Sequence, residues 1–234
     1  MGINLHAEVD GSGPALALVN GAWCNLRQWD AVVGRLAERF TVVRHDVRGT
    51  GGSPAGPAEE NTFEQYAEDL VGLVAAHGFD RFSLWGMAWG ARVAVMAAAT
   101  HPDAVERLVL SDLGITPADV AAQKQGRADA KAARAAAGIA EVPAPAGAFD
   151  HADRDAALAA LNATRLHRDL MPFVERIVAP TLIVTGDHDP NLASSRRALG
   201  GLADGRLDVL PRTEHGSVLH RADVVLDAVL PFLR

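Results

Sequence analysis

The chain has few of the residues that mark secreted, membrane-spanning or metal-binding proteins. Its 234 residues include one cysteine, Cys24, so no disulfide can form within the chain. A disulfide-framed secreted module is therefore excluded, and a single thiol fits a reducing cytoplasm. The first residues lack the apolar core of a signal peptide, and no apolar run is long enough to cross a bilayer. We expect a cytoplasmic protein.

Positive charge is also scarce. The chain has 22 basic and 29 acidic side chains, a net charge of −7, and only two of the basic residues are lysines. No basic stripe is present, which speaks against nucleic acid as a partner. Histidines are scattered without metal-ligand spacing, and no phosphate-binding loop occurs. The sequence thus implies a small-molecule substrate and neither a metal nor a cofactor.

Short β-type runs alternate with helical patterns along most of the chain. The β-type runs are Ile3–Val9, Ala15–Val19, Thr41–Arg44, Phe82–Trp85, Leu108–Leu110, Thr181–Thr185 and Leu207–Leu210. Helical spacing marks Leu26–Phe40, a segment from Asn61 or Thr62 to about His77, a segment starting near Trp89, and Arg221–Leu233. Strands separated by helices of this length form βαβ units. We therefore predict an α/β fold with a mostly parallel central sheet flanked by helices.

One segment breaks this alternation. Residues 116–172 are alanine-rich and helical in pattern, with a proline-rich hinge at Pro143–Gly147 and no convincing β-run. We expect residues 1–115 and 173–234 to form the core, and residues 116–172 to form a short helical lid between two strands. The alternative is a set of ordinary crossover helices.

The strongest chemical signal follows the fourth β-run. There Gly86-Met87-Ala88-Trp89-Gly90 joins a strand to a helix rich in small residues. A nucleophile elbow has the pattern Gly-x-Ser-x-Gly, in which a strained turn presents the central residue and the glycines make room for it. Every neighbour fits this description, but the central position, residue 88, is alanine.

Six motifs in this order resemble those of the α/β-hydrolase fold family, and the loops are most similar to its esterase and enol-lactonase branch. The motifs are the oxyanion-loop segment Val19–Trp23, Trp29-Asp30, the Gly-rich loop Asp46–Ser53, the elbow Gly86–Gly90, Thr185–Asp189 and Glu214–Gly216. The resemblance covers nearly the whole chain except the lid. It implies an enzyme without a cofactor that acts on a small ester, lactone or related carbonyl compound.

The resemblance also implies an acid and a base late in the chain. Asp189 would orient and charge-balance His215, which would act as the general base. Asp187 is an alternative acid, and so is Asp112, which ends an earlier strand where some family members keep this residue. His215 has a simpler interpretation as a capping or surface residue, but its place between the last strand and the final helix favours catalysis.

The remaining roles implied by the resemblance belong to the two loops around the elbow. The backbone N–H of Trp89 and one from Ala22 or Trp23 would form the oxyanion hole. Trp23 and Trp89 would wall the pocket at the reacting carbon. Asn20, at a position where histidine is common in the family, and Met87 would contribute to substrate binding.

Alanine has no atom that can attack a carbonyl, so an acyl-enzyme at residue 88 is excluded. Cys24 lies on the wrong loop to replace the nucleophile. Three hypotheses remain open. In the first, the chain is an engineered Ser-to-Ala variant of a serine hydrolase. In the second, it is a native enzyme in which a His215/Asp189 dyad activates water or moves a proton, as in a cofactor-free lyase or isomerase. In the third, it is a non-catalytic binder of a small apolar ligand.

Overall fold

A computed structural model describes residues 3–164 and 169–234, and its centre is a seven-stranded sheet. The strands are β1 Ala7–Asp10, β2 Ala15–Val19, β3 Thr41–His45, β4 Phe82–Met87, β5 Val105–Ser111, β6 Thr181–Gly186 and β7 Gly205–Leu210. Their order across the sheet is β1-β3-β2-β4-β5-β6-β7. Only β1 runs antiparallel to its neighbour, and the other strand pairs are parallel. The predicted α/β fold is confirmed.

Helices occupy most of the connections between the strands, and the last two helices follow β7. They are α1 Asp30–Ala37, α2 Phe63–Ala76, α3 Trp89–Thr100, α4 Val120–Ala136, α5 Arg154–Ala163, α6 Met171–Val174, α7 Leu192–Leu199, α8 Ser217–His220 and α9 Ala222–Phe232. Short 3-10 helices lie at Leu26–Trp29 and Ala58–Glu60. Among the described residues, no helix is both long enough and apolar enough to span a bilayer.

Alternate residues of the buried strands supply two separate apolar cores, one on each face of the sheet. In β2, Ala15, Ala17 and Val19 belong to the core that includes α2 and α3. Leu16 and Leu18 belong to the core that includes α1 and α9. A parallel sheet covered on both faces leaves the carboxyl ends of its strands as the place for a site.

The first strand is shorter than its sequence pattern predicts. It begins at Ala7 instead of Ile3, because its partner β3 offers only the stretch that pairs Ala7 with His45 and Asp10 with Val42. The start of α2 follows the prediction more closely, since the Thr62 side chain accepts the N–H of Gln65 as an N-cap. Periodicity thus locates elements well, whereas partner strands decide where edge strands end.

The segment predicted to form a lid contains α4, α5 and the start of α6. Four of its residues, 165–168, lie outside the described residues. The segment connects β5 to β6, which are neighbours in the sheet. Its division from the core at residues 116 and 172 stays a prediction.

Candidate active site

Ala88 occupies a strained turn between β4 and α3. Its backbone angles are φ 53° and ψ −108°, a region that residues other than glycine rarely adopt. The Ala88 N–H donates to the carbonyl of Ser111 at 2.7 Å, which anchors the turn to β5. A Cβ added to Gly90 would lie 2.3 Å from the carbonyl oxygens of Val19 and Asn20. The backbone therefore has the form of a nucleophile elbow, although the residue at its tip is alanine.

His215 and Asp189 meet at the carboxyl ends of the last two strands. His215 Nδ1 lies 3.0 Å from Asp189 Oδ2, and the Asp189 side chain is fully buried. The other Asp189 oxygen accepts the N–H of Asn191 at 2.9 Å. Asp187 lies elsewhere and accepts the N–H of Thr213 at 3.0 Å. The contact through Nδ1 leaves His215 Nε2 as the ring atom available to a substrate.

Asp112, which follows β5, is a second buried carboxylate beside this pair. Its Oδ2 accepts the N–H of Gly216 at 3.0 Å and both the N–H and the hydroxyl of Ser217, at 2.8 and 2.9 Å. Its Oδ1 has no partner within the described part of the chain. Burial, followed by the charge of Asp189, raises the pKa of Asp112. Asp112 thus holds the start of the loop that follows His215.

Asp112, Asp189 and His215 bring three possible metal-ligand atoms within 4.8 Å of one another. The spacing of these residues in the sequence gives no sign of this group. Three protein donors already occupy Oδ2 of Asp112, and His215 Nδ1 already contacts Asp189 at 3.0 Å. The hydrogen bonds fit an acid–histidine arrangement better than a metal site.

Charges on both sides of His215 set its basicity. Burial lowers the pKa of His215, but the hydrogen bond and charge of Asp189, together with the charge of Asp112, raise it above its ordinary value. The positive charge of Arg127 opposes this shift. The net rise strengthens the imidazole as a proton acceptor at neutral pH.

Replacing Asp189 with asparagine is expected to lower the pKa of His215, because the charge and the charge-assisted hydrogen bond that raise it are lost. The raised value in the parent stabilises the fold below the ordinary histidine pKa of about 6.5, and this stability is lost as pH rises through the folded pKa. NMR titration of the His215 ring measures the shift. Asp187→Asn is the matched control, and an unchanged titration in Asp189→Asn would contradict the expectation.

Three backbone N–H groups are suited to the oxyanion hole. Trp89 is the first residue of α3, so its N–H has no acceptor within the helix. Among the described hydrogen bonds, none uses the N–H of Ala22 or Trp23 as donor. Trp23 also has a positive φ of 62°. The N–H groups of Trp89, Ala22 and Trp23 therefore remain candidates for the oxyanion hole.

A cavity of about 610 Å³ lies beside the elbow and the histidine. The predicted site residues that line it are Ala22, Met87, Ala88, Trp89 and His215. Trp23 borders a narrow crevice that adjoins this cavity and shares Ala22 and Trp89 with it, and its ring packs 5.1 Å from that of His151 and lies under the guanidinium of Arg154. The role of Trp23 as a wall of the pocket stays a prediction.

Asn20 and Cys24 are both buried close to the cavity. Asn20 Nδ2 donates to the carbonyl of His45 and its Oδ1 accepts Trp29 Nε1, each at 2.8 Å. The side chain is thus engaged in holding its loop and lines the adjoining crevice, so its contact with substrate stays a prediction. Burial raises the pKa of the Cys24 thiol to about 12, which suppresses the reactive thiolate.

Helix α4 makes two contacts that the sequence motifs do not indicate. A Cβ on Gly126 would lie 2.1 Å from the carbonyl oxygen of His188, so α4 closely approaches the loop of the acid. The guanidinium of Arg134 binds both carboxylate oxygens of Glu214, at 2.5 and 3.1 Å, next to the histidine. Gly126, Ala130 and Arg134 are the buried residues of α4, and their spacing of four was the available signal.

Residues 14–165 match the sequence profile of the family described as alpha/beta hydrolase fold. This chain belongs to that family. The match confirms the resemblance drawn from the motifs and includes the oxyanion loop and the elbow.

Relatives extend the likeness over the rest of the chain. A 2-(acetamidomethylene)succinate hydrolase from Mesorhizobium japonicum is 29% identical over 99% of this chain and 92% of its own length. A fluoroacetate dehalogenase from a Burkholderia species is 41% identical over 115 residues, which are 47% of this chain and 38% of that protein. Several of the curated relatives are thus matched over less than half of their length.

Among solved structures, the enol-lactonase of Burkholderia xenovorans LB400 has a TM-score of 0.81 and 26% identity. The likeness covers 99% of this chain and 98% of that one. The chain accordingly shares the α/β-hydrolase fold over nearly its whole length with a protein named as an enol-lactonase.

Proposed function

We propose that this enzyme hydrolyses a small ester, lactone or related carbonyl compound with His215 and Asp189 as its catalytic dyad. Water takes the place of a side-chain nucleophile, because Ala88 cannot form an acyl-enzyme. The observation that carries the proposal is the 3.0 Å contact between His215 and the buried Asp189, with His215 lining the same cavity as Ala88. The names of the relatives, a succinate-type hydrolase and an enol-lactonase, support this substrate class.

The proposed reaction needs one proton acceptor and one site for negative charge. His215 Nε2 takes a proton from water as the water oxygen bonds to the substrate carbonyl carbon. The carbonyl oxygen becomes an oxyanion and accepts hydrogen bonds from the N–H of Trp89 and that of Ala22 or Trp23. The carbon–oxygen bond to the leaving group then breaks, and the protonated His215 returns the proton to that oxygen.

The proposal is tested on the unaltered chain with phenyl acetate and the aromatic lactone dihydrocoumarin in water enriched in ¹⁸O. We expect slow turnover, one ¹⁸O atom in each product acid, and a rate that rises with pH through the raised pKa of His215. His215→Ala should lower the rate by roughly 10²–10⁴-fold. His188→Ala, which removes a partly exposed histidine outside the cavity lining, is the matched control.

Each alternative to the proposal has its own signature in this experiment. A product without ¹⁸O, formed in a reaction that still needs His215, would show that the enzyme moves a proton as a lyase or isomerase and does not hydrolyse its substrate. Turnover that survives His215→Ala would contradict the dyad. Binding of the test compounds without turnover of any of them would favour a non-catalytic binder.

A further inference from the structure

The charge of the cavity lining is opposite to the charge of the protein. The chain carries a net charge of −7, yet no aspartate or glutamate is among the described residues that line the cavity. Two arginines line it, Arg92 and Arg127, and most of the other lining residues are apolar. A mainly apolar pocket with two positive charges, one on the buried Arg92 and one on the exposed Arg127, selects a ligand with an apolar body and a negative group.

Arg92 is a buried cation without a counter-charge. It lies on α3 one turn after Trp89, and its side chain is buried. Its Nε donates to the carbonyl of Gly114 at 2.6 Å, and a second N–H donates to the carbonyl of Thr116. No described carboxylate forms an ion pair with it, and burial lowers its pKa. Burial of a guanidinium among neutral groups is costly, and an anionic ligand would offset that cost.

Arg127 brings the second positive charge from α4. It lines the cavity and has no ion-pair partner among the described residues. Its positive charge acts to lower the pKa of His215. The neighbouring Gly126 lies against the backbone of His188, which fixes this part of α4 above the acid loop. The two guanidinium groups therefore reach the cavity from separate helices whose positions are set by packing.

We infer that the substrate carries a carboxylate group, which binds to Arg92 and Arg127 while its carbonyl group reacts beside Ala88 and His215. The reaction of the carbonyl group beside Ala88 and His215 rests on the proposed function. Guanidinium groups match the two oxygens of a carboxylate with paired N–H donors. The mainly apolar remainder of the lining fits the body of a small organic acid.

Binding of three anilides to the full chain, measured by calorimetry at low ionic strength, tests the inference without requiring turnover. The probes are N-phenylsuccinamic acid, its methyl ester and its phosphonate analogue. We expect the carboxylate to bind on the order of tenfold or more tightly than the ester, with a preference that weakens as salt is added. Arg127→Gln should remove most of this preference, and Arg127→Lys should restore part of it. Lys131→Gln, on the same helix but outside the cavity lining, should leave the preference unchanged.

Arg92→Lys supplies a second variant, which keeps the charge but loses the planar fork, and it should weaken carboxylate binding as well. Equal affinities for acid and ester would overturn the inference, as would tighter binding of the phosphonate. A preference that persists in both Arg127→Gln and Arg92→Lys would also overturn it. Carboxylate binding without His215-dependent hydrolysis would contradict only the proposed function, whereas hydrolysis without any preference for the anion would contradict only this inference.

Discussion

Replacing Ala88 with serine is expected to produce a burst of nitrophenolate from p-nitrophenyl acetate, followed by steady hydrolysis. The backbone at residue 88 already has the strained geometry of an elbow, and His215 lines the same cavity with its acid partner in place. Loss of the nucleophile from a serine hydrolase lowers kcat by about 10⁶-fold, so introducing a nucleophile can raise kcat by a large factor. We expect a gain on the order of 10³-fold or more over the unaltered chain, within that range.

The burst should equal the enzyme concentration, because one acyl group forms per site. The double variant Ala88→Ser with His215→Ala is the control, and it should lose the burst because no base remains to activate the hydroxyl. A gain would support the hypothesis that alanine stands where a serine hydrolase has its nucleophile. If neither a burst nor a faster rate appears, that hypothesis is wrong, and the dyad acts without a nucleophile at residue 88.

Replacing Arg134 with alanine is expected to lower the free energy of unfolding by about 3–5 kcal/mol, since it leaves the buried carboxylate of Glu214 without its partner. Arg134 also binds the carbonyl of Arg212 and the carboxylate of Glu141, so several contacts are lost together. For a chain of this length, about 2–4 °C of melting temperature accompanies each kcal/mol. Urea unfolding and calorimetry at pH 7 measure the change.

A matched exposed pair provides the control for Arg134. Arg197 lies 2.5 Å from Asp169, but both side chains are substantially exposed and their attraction is screened by water, so Arg197→Ala should change the free energy of unfolding much less than Arg134→Ala. The double variant Arg134→Leu with Glu214→Leu should recover much of the lost stability, because neither charge is then left buried alone. A cost for Arg134→Ala no larger than that for Arg197→Ala would show that the buried pair does not stabilise the fold.

The sequence predicts the sheet and the elbow because both depend on local patterns. In β2 every residue is buried, and in the elbow the two glycines and the strand-to-helix change lie within five positions. The resemblance of the motif Thr185–Asp189 also implies Asp189 as the acid, and the hydrogen bond to His215 agrees with that choice. Such features can be predicted because neighbouring residues in the sequence determine them.

The direction of a side chain and the contacts between residues far apart in the sequence cannot be predicted from local patterns. A motif gives the place of Trp23 and Asn20 in the chain, but the positive φ of Trp23 and the hydrogen bonds of Asn20 decide where the side chains point. Arg134 and Glu214 are 80 residues apart, so no local pattern relates them. The positive lining of the cavity likewise arises only when α3 and α4 come together.

The packing of α4 limits how the sequence of this enzyme can vary in length. Gly126, Ala130 and Arg134 share one face of the helix, and each residue inserted or deleted among them turns the following part by about 100°. A single such change would move Arg134 away from Glu214 while leaving Gly126 against the acid loop. Substitutions on the exposed face of α4 are tolerated by this geometry, whereas a change in the length of the helix between Gly126 and Arg134 is not.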